Sequence, residues 1–294
     1  MSISASLRGT ALVVVWSSGF IGAELGARYA TADTLLAWRC LLTALVLLPW
    51  LPRLDPREWA RQAVLALLCQ CLYLGGVFWA AAAGVPAGTS ALIASLQPAL
   101  VLIAAVLLDS QRLRAGHVAG LALGTTGVAV TALGDLSAGV AVTALLLPLV
   151  SMLSLTAGTV LQQRWPTPPL MGTLAAQALF TGVFFTVYAA GAGTLAPPPV
   201  AGFWVAVAWA AAAGIASYGI YYRVTSRDGA ARASTLLYLT PAATALWAVP
   251  MFGDPVRLVT LLGLLISASA VVLLRRTSTT PAPARPQTIA QTHS

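Results

Sequence analysis

Apolar residues fill the chain in runs of about twenty, the length of helix needed to cross a hydrocarbon core of roughly 30 Å. Ten such runs can be traced, at residues 8–27, 33–52, 61–83, 87–108, 115–134, 140–163, 170–191, 202–223, 231–252 and 256–274. The linkers between them are short and hold residues that break helices: Pro52 and Pro56, Gly84 to Gly88, Gly134 to Gly139, Pro166 to Pro169, Pro197 to Pro199, and Gly253 to Pro255. The pattern predicts an all-α integral membrane protein of ten transmembrane helices. The first run has the look of a secretory leader, but nine further spans follow it, so it reads as a retained helix. The tail over 277–294, rich in Thr, Pro and Ala, is expected to be disordered.

Composition changes the picture only by removing alternatives. Apolar residues make up 59% of the 294 positions and charged residues 8%, with a mean hydropathy of +0.85. A water-soluble domain carries about a quarter charged residues. With so little polar surface the solvent for this fold is lipid, which demands that backbone groups pair internally.

The net charge is +8, and all 16 basic residues are arginine. A nucleic-acid binder would gather them on one face; here they sit singly or in small groups between apolar runs. With a cytoplasmic amino terminus, 13 of the 16 fall on the inner side: Arg8, Arg53, Arg57, Arg61, Arg112, Arg114, Arg164, Arg223, Arg227, Arg232, Arg275, Arg276 and Arg285. Arg28 and Arg257 remain outside, and Arg39 lies within the second run. The bias predicts a multi-pass protein of a bacterial inner membrane with both termini cytoplasmic.

An internal repeat is visible at an offset of 143 residues, aligning Gly88 to Val128 with Ala231 to Val271. It pairs Leu96 with Leu239, Pro98 with Pro241, Ala99 with Ala242, Ala105 with Ala248, Val106 with Val249, Gly120 with Gly263 and Leu121 with Leu264. The repeat divides the chain into units 1–136 and 137–276, each of five spans. An odd number of spans forces the second unit to insert upside down, so the expectation is two inverted five-helix repeats about an axis in the membrane plane.

Three segments carry a family resemblance. Trp16-Ser17-Ser18-Gly19-Phe20 is similar to a W-G-S-x-F opening, and Ala37-Trp38-Arg39-Cys40 to an A-x-R-F second helix. The run from Ala231 to Asp254, with Leu239-Thr240-Pro241 and Phe252-Gly253-Asp254, is similar to an L-x-P … F-G-E ninth helix. Together they resemble the ten-helix EamA branch of the drug/metabolite transporters. The resemblance implies a ten-helix fold and export of amino acids or related metabolites. Two departures stand out: Ser110-Gln111-Arg112 replaces the usual Gly-Glu-Arg, and Asp254 replaces Glu.

Polar and aromatic residues at mid-depth are the candidate cavity lining: Trp16, Ser17, Gln70, Tyr73, Gln97, Ser151, Ser154, Gln177, Tyr218, Tyr238 and Thr240. They suit an uncharged or zwitterionic amphipathic solute such as an amino acid, with aromatic surfaces also available for a cationic group. Pro98 and Pro241, each crowding the carbonyl four residues earlier, are expected to bend the fourth and ninth helices, as static kinks or as hinges in the cavity wall. Glu24 and Arg39 are ionisable groups within apolar runs, read as an ion pair or as a coupling site.

The rest is exclusion. Cys40, Cys69 and Cys71 lie in apolar runs, and the two histidines are His117 near a helix end and His293 in the tail. No metal site, cofactor or rhomboid-type Ser–His pair is expected from such a set. Asp109 and Asp254 fall at opposite membrane faces, which removes an aspartyl protease. The expectation is a non-enzymatic, monomeric transporter with the bilayer and a small solute as partners; a channel or a lipid-linked sugar flippase is the alternative.

Overall fold

The computed structural model describes residues 3–108, 115–165, 169–228, 236–253 and 258–278. These residues are helical, with no strand among them. In chain order the helices are α1 (Ile3–Ala27), α2 (Ala32–Leu47), α3 (Pro56–Ala66), α4 (Tyr73–Ala82), α5 (Ala87–Ala94), α6 (Gln97–Leu108), α7 (Ala115–Ser137), α8 (Val142–Arg164), α9 (Leu170–Gly191), α10 (Ala201–Asp228), α11 (Thr240–Phe252) and α12 (Leu258–Ser278). A π-helical turn, Leu67–Leu72, joins α3 to α4. Side-chain caps start two of them: Thr31 for α2, and Asp55, which accepts from the Glu58 N–H at 2.8 Å, for α3. Gly84, Gly139, Gly193 and Gly253 all take positive φ at helix ends, the conformation a residue without Cβ adopts freely.

Seven of the described helices are long and apolar enough to cross a membrane, spanning Ser6–Ala27, Ala32–Trp50, Pro56–Ala82, Val118–Ser137, Val142–Arg164, Leu170–Gly191 and Ala201–Tyr221. The expected fourth, ninth and tenth spans are not among these seven, and the fourth and ninth are interrupted within the described residues. The fourth run is split into α5 and α6 by a turn at Ser95 and Leu96, and α11 is preceded by a turn at Tyr238 and Leu239. The 21-residue α12 occupies the tenth run. The Ser110-Gln111-Arg112 segment, Asp254, the start of the ninth run and the tail from residue 279 lie outside the described residues.

Each interruption is built in the same way. The Leu96 N–H donates to Ile93 O at 3.2 Å and the Leu100 N–H to Leu96 O at 3.2 Å; 143 residues later the Leu239 N–H donates to Leu236 O at 2.9 Å and the Ala243 N–H to Leu239 O at 3.0 Å. Pro98 and Pro241 are the second residues of the helices that follow, where a missing N–H has no intrahelical partner to lose. The prolines therefore begin new helices instead of bending continuous ones.

The packing follows the repeat as well. α2 packs on α9 and α7 on α12, each helix against the one 143 residues away; α1 on α10 is matched by α4 on α8, and α5 packs on α11, the repeat equivalent of α6. Large apolar side chains face outward around the bundle, with Leu45, Val187, Leu246 and Leu258 at 63%, 66%, 69% and 71% exposure, the surface that lipid covers. Inside, Phe20, Ile21, Leu35, Leu36, Phe185 and Phe203 form a buried cluster between α1, α2, α9 and α10.

Glycine sets the closest approaches. A Cβ on Gly76 would lie 2.6 Å from the Leu147 carbonyl, so α4 and α8 touch only because none is there; Gly263 stands in the same relation to the Gly127 carbonyl between α12 and α7. The Gly76→Leu variant should lose about 1–3 kcal/mol of stability by overpacking against backbone that cannot move aside. Gly19→Ala, with nothing within 4 Å of its added Cβ, should change stability by less than about 0.5 kcal/mol. Thermal unfolding in detergent compares the two.

Candidate functional site

Five helices turn small and polar stripes towards one another and leave a void of about 100 Å³ between them. The third span contributes Gln70, Tyr73, Leu74, Val77 and Phe78, and α10 contributes Ala210, Ala213, Gly214, Ser217 and Tyr218. Both sets follow the i, i+3, i+4 spacing of a single helix face. Trp16, Gly19 and Phe20 of α1 close one side, while Arg39, Cys40 and Thr43 of α2 and Ala178 and Thr181 of α9 close the other. Cys69 and Gln70 sit in the π-helical turn, a kind of irregularity found often at functional sites.

A second void of about 30 Å³ shares Trp16, Phe20 and Tyr73 with the first and continues to Ser95, Gln97, Leu237 and Thr240. It therefore touches both helix interruptions. Ser17 ties α1 to the second interruption, its hydroxyl lying 2.6 Å from Val13 O and 3.3 Å from Thr240 O. The Thr240 hydroxyl is buried without a hydrogen-bond partner.

The aromatic wall is ordered by ring contacts. Trp16 lies edge-on to Tyr218 at 5.9 Å and tilted against Tyr221 at 5.7 Å. The Gln70 amide reaches the Tyr218 hydroxyl at 3.5 Å, a long contact, and Gln97 donates to the Thr159 hydroxyl at 3.1 Å. The surface thus offers ring faces, two amides and a phenol.

Directional contacts close the bundle above Phe20 and Phe78, at the end carrying the α1–α2 linker. The Glu24 carboxylate accepts from the Ala87 N–H at 3.0 Å, at the positive end of α5. Trp79 donates to Asp33 at 2.6 Å, Trp38 to Leu195 O at 2.9 Å, and Trp209 to Ser18 O at 3.0 Å. Arg28 stacks 4.4 Å from the Phe252 ring centroid. Towards the other end the void is bordered by Leu47 and Leu174, which belong to an apolar cluster of α2 and α9.

Of the candidate lining residues, the structure brings Trp16, Gln70, Tyr73, Gln97, Tyr218 and Thr240 onto the two voids. Ser17 and Pro241 are buried beside them, and Tyr238 forms the turn before α11. The side chain of Pro98 lies outside the described residues. Gln177 is turned away, donating to Gln62 at 3.2 Å between α9 and α3, and Ser151 and Ser154 bond back to their own helix. Cys40 and Thr43 of α2 and Ala178 and Thr181 of α9 are the lining residues that sequence reasoning missed. The signal present was Arg39 with Thr43 one turn on, a polar stripe within an apolar span.

Glu24 and Arg39 part company. Arg39 is 7% exposed, lines the larger void and lies 5.0 Å from the Phe78 ring centroid, and among the described residues no carboxylate is placed against its guanidinium. Glu24 is engaged by the start of α5 instead. Among the described residues no group of His, Cys, Asp and Glu suited to a metal ion is found.

Comparison with known proteins agrees with this architecture. No curated protein matches the sequence. Among solved structures, a crystal structure described only as that of a protein shares 20% identity and superposes with a TM-score of 0.64, covering 95% of this chain and 100% of its own. That likeness shows the fold. The sequence matches the EamA-like transporter family twice, over residues 4–133 and 142–276. Two family repeats on a bundle of apolar helices leave one assignment: the chain belongs to the EamA-like transporter family and is a multi-pass membrane transporter.

Proposed function

We propose that this transporter moves small amphipathic metabolites, amino acids among them, by alternating access of two inverted five-helix halves around the paired voids. The observation that carries the reading is the matched interruption of α5–α6 and α11, with equivalent backbone hydrogen bonds 143 residues apart and both borders on one void. Interrupted helices place free backbone groups and flexible turns where a solute would sit, and in inverted-repeat carriers they mark the binding site. The packing of α2 on α9 and of α7 on α12, each against its repeat equivalent, with α1 on α10 matched by α4 on α8, supports a two-fold relation between the halves. A void bordered by Phe20 and Phe78 beneath hydrogen-bonded closing contacts suits a carrier better than an open channel, and about 100 Å³ suits a small solute better than a lipid-linked sugar. The arginine bias supports a bacterial inner membrane with both termini cytoplasmic.

Counterflow in proteoliposomes loaded with single amino acids tests the reading directly. Saturable exchange is expected for at least one of them, and unsaturable ion current in its place would assign a channel. Gly19→Trp should fold, since the position faces open space, yet abolish exchange by filling the void it lines. Pro98→Ala and Pro241→Ala should each fold and insert but slow exchange by about tenfold, as a continuous helix replaces the turn; parent-like rates in both would remove the hinge.

Topology has its own test. Cysteines placed at Ala83 and Arg227 should react with an impermeant maleimide from opposite sides of the membrane, while the buried Cys40, Cys69 and Cys71 stay silent. Labelling of both from one side would overturn the inverted arrangement.

A further inference from the structure

The larger void carries a charge that nothing in it balances. Among the described residues bounding either void Arg39 is the single charged one, with no Asp or Glu beside it. It is 93% removed from solvent by its 7% exposure, and among the described residues its Nε has no hydrogen-bond partner. An uncompensated cation at membrane depth is costly, and the ring of Phe78, 5.0 Å away, offsets only part of that cost. Gly214 leaves room for the guanidinium: a Cβ there would sit 3.0 Å from Nη2.

We propose, resting on the carrier reading above, that Arg39 is the carboxylate-binding residue of the transport site. The transported class is then small organic acids with a compact apolar or aromatic body. The guanidinium takes a carboxylate in a two-bond fork, a match of shape and charge that neither an amide nor a hydroxyl offers. The body lies against Trp16, Tyr73 and Tyr218, and the Gln70 amide and Tyr218 hydroxyl stand at the far wall for a second polar group. With no acidic side chain bounding either void among the described residues, an α-ammonium finds ring faces but no counter-charge there. The carboxylate is therefore the group that is read, and a deaminated acid binds at least as well as the parent amino acid. Cationic solutes are repelled.

The test uses matched probes on the reconstituted full chain: leucine and leucinamide, phenylalanine and phenylalaninamide, 4-methylpentanoate and 4-methylpentanamide, 3-phenylpropanoate and its amide. Quenching of tryptophan fluorescence and thermal shift read binding, and counterflow reads transport. In the parent the acid of at least one pair should bind about ten- to a hundredfold more tightly than its amide, the range a charge-assisted hydrogen-bonded pair supplies. Arg39→Gln should erase that ratio while keeping the neutral amide's binding, and Arg39→Lys should keep part of it. The empty Arg39→Gln protein should melt no lower than the parent, because a buried unpaired charge has been removed.

Equal binding of acid and amide in every pair, or a ratio unchanged in Arg39→Gln, overturns the carboxylate site while leaving the carrier in place. A markedly lower melting point for the empty Arg39→Gln protein also overturns it, by assigning Arg39 a structural partner. Absence of exchange for every probe and every amino acid overturns the carrier and this inference together.

Discussion

In lipid every backbone N–H and C=O has to find its partner inside the protein, and an unbroken helix is the cheapest way to do so. Among the described residues this chain follows that rule along most of its spans and interrupts the helix at two matched places. The interruptions are at Ser95–Leu96 and Tyr238–Leu239, each followed within three residues by proline. Groups released there need protein around them, and the structure supplies it: the Ser17 hydroxyl lies 3.3 Å from Thr240 O, and α5 packs on α11. The first interruption is buried at Leu96, while at the second Leu239 faces outward and the neighbouring Thr240 inward. The voids are a consequence, since helices that end and restart cannot fill space as evenly as continuous ones.

Sequence pattern made the apolar spans legible because a crossing helix has a length and a hydrophobicity that no neighbour can alter. The repeat was legible because Pro98 and Pro241 recur at a fixed offset. What the pattern could not give was how a proline would act. A lone proline in an apolar run reads as a kink, and only the preceding three residues decide between a bend and a new helix. Here Leu96 and Leu239 close a tight turn by bonding to carbonyls three residues back, at 3.2 and 2.9 Å. That choice depends on tertiary support from α1 and from the opposite repeat, which lies far away in sequence.

The site was legible residue by residue and much less so as an assembly. Trp16, Tyr73 and Tyr218 announce themselves as aromatic groups at mid-depth, but depth says nothing about rotation about the helix axis. Gln177 shows the difference: equally deep by sequence, it faces Gln62 and leaves the void to Ala178 and Thr181. The stripes that matter come from helices with many small residues, where almost any face can be the packed one. Glu24 and Arg39 read as partners across the α1–α2 hairpin because both lie within apolar runs near the same end, with Arg28, four residues after Glu24, as the competing partner. The helix N-terminus at Ala87 supplied Glu24 with a different one.

That exchange of partners explains how the two ends of the void differ. Above Phe20 and Phe78 the contacts are directional: Glu24 to Ala87, Trp79 to Asp33, Trp38 to Leu195 and Trp209 to Ser18. Towards Leu47 and Leu174 they are apolar. Directional bonds hold one geometry and are lost together when helices tilt, whereas apolar contacts slide with little penalty. In the proposed carrier, motion that opens the hydrogen-bonded end would give up several such bonds within one step, and the interaction that offsets them would arise in the same movement. Arg39, the proposed anchor of a solute anion, lies on α2, the helix that also carries Asp33 and Trp38. Binding and closure would then act on a single element, and an event in the void would reach those bonds without an intervening relay.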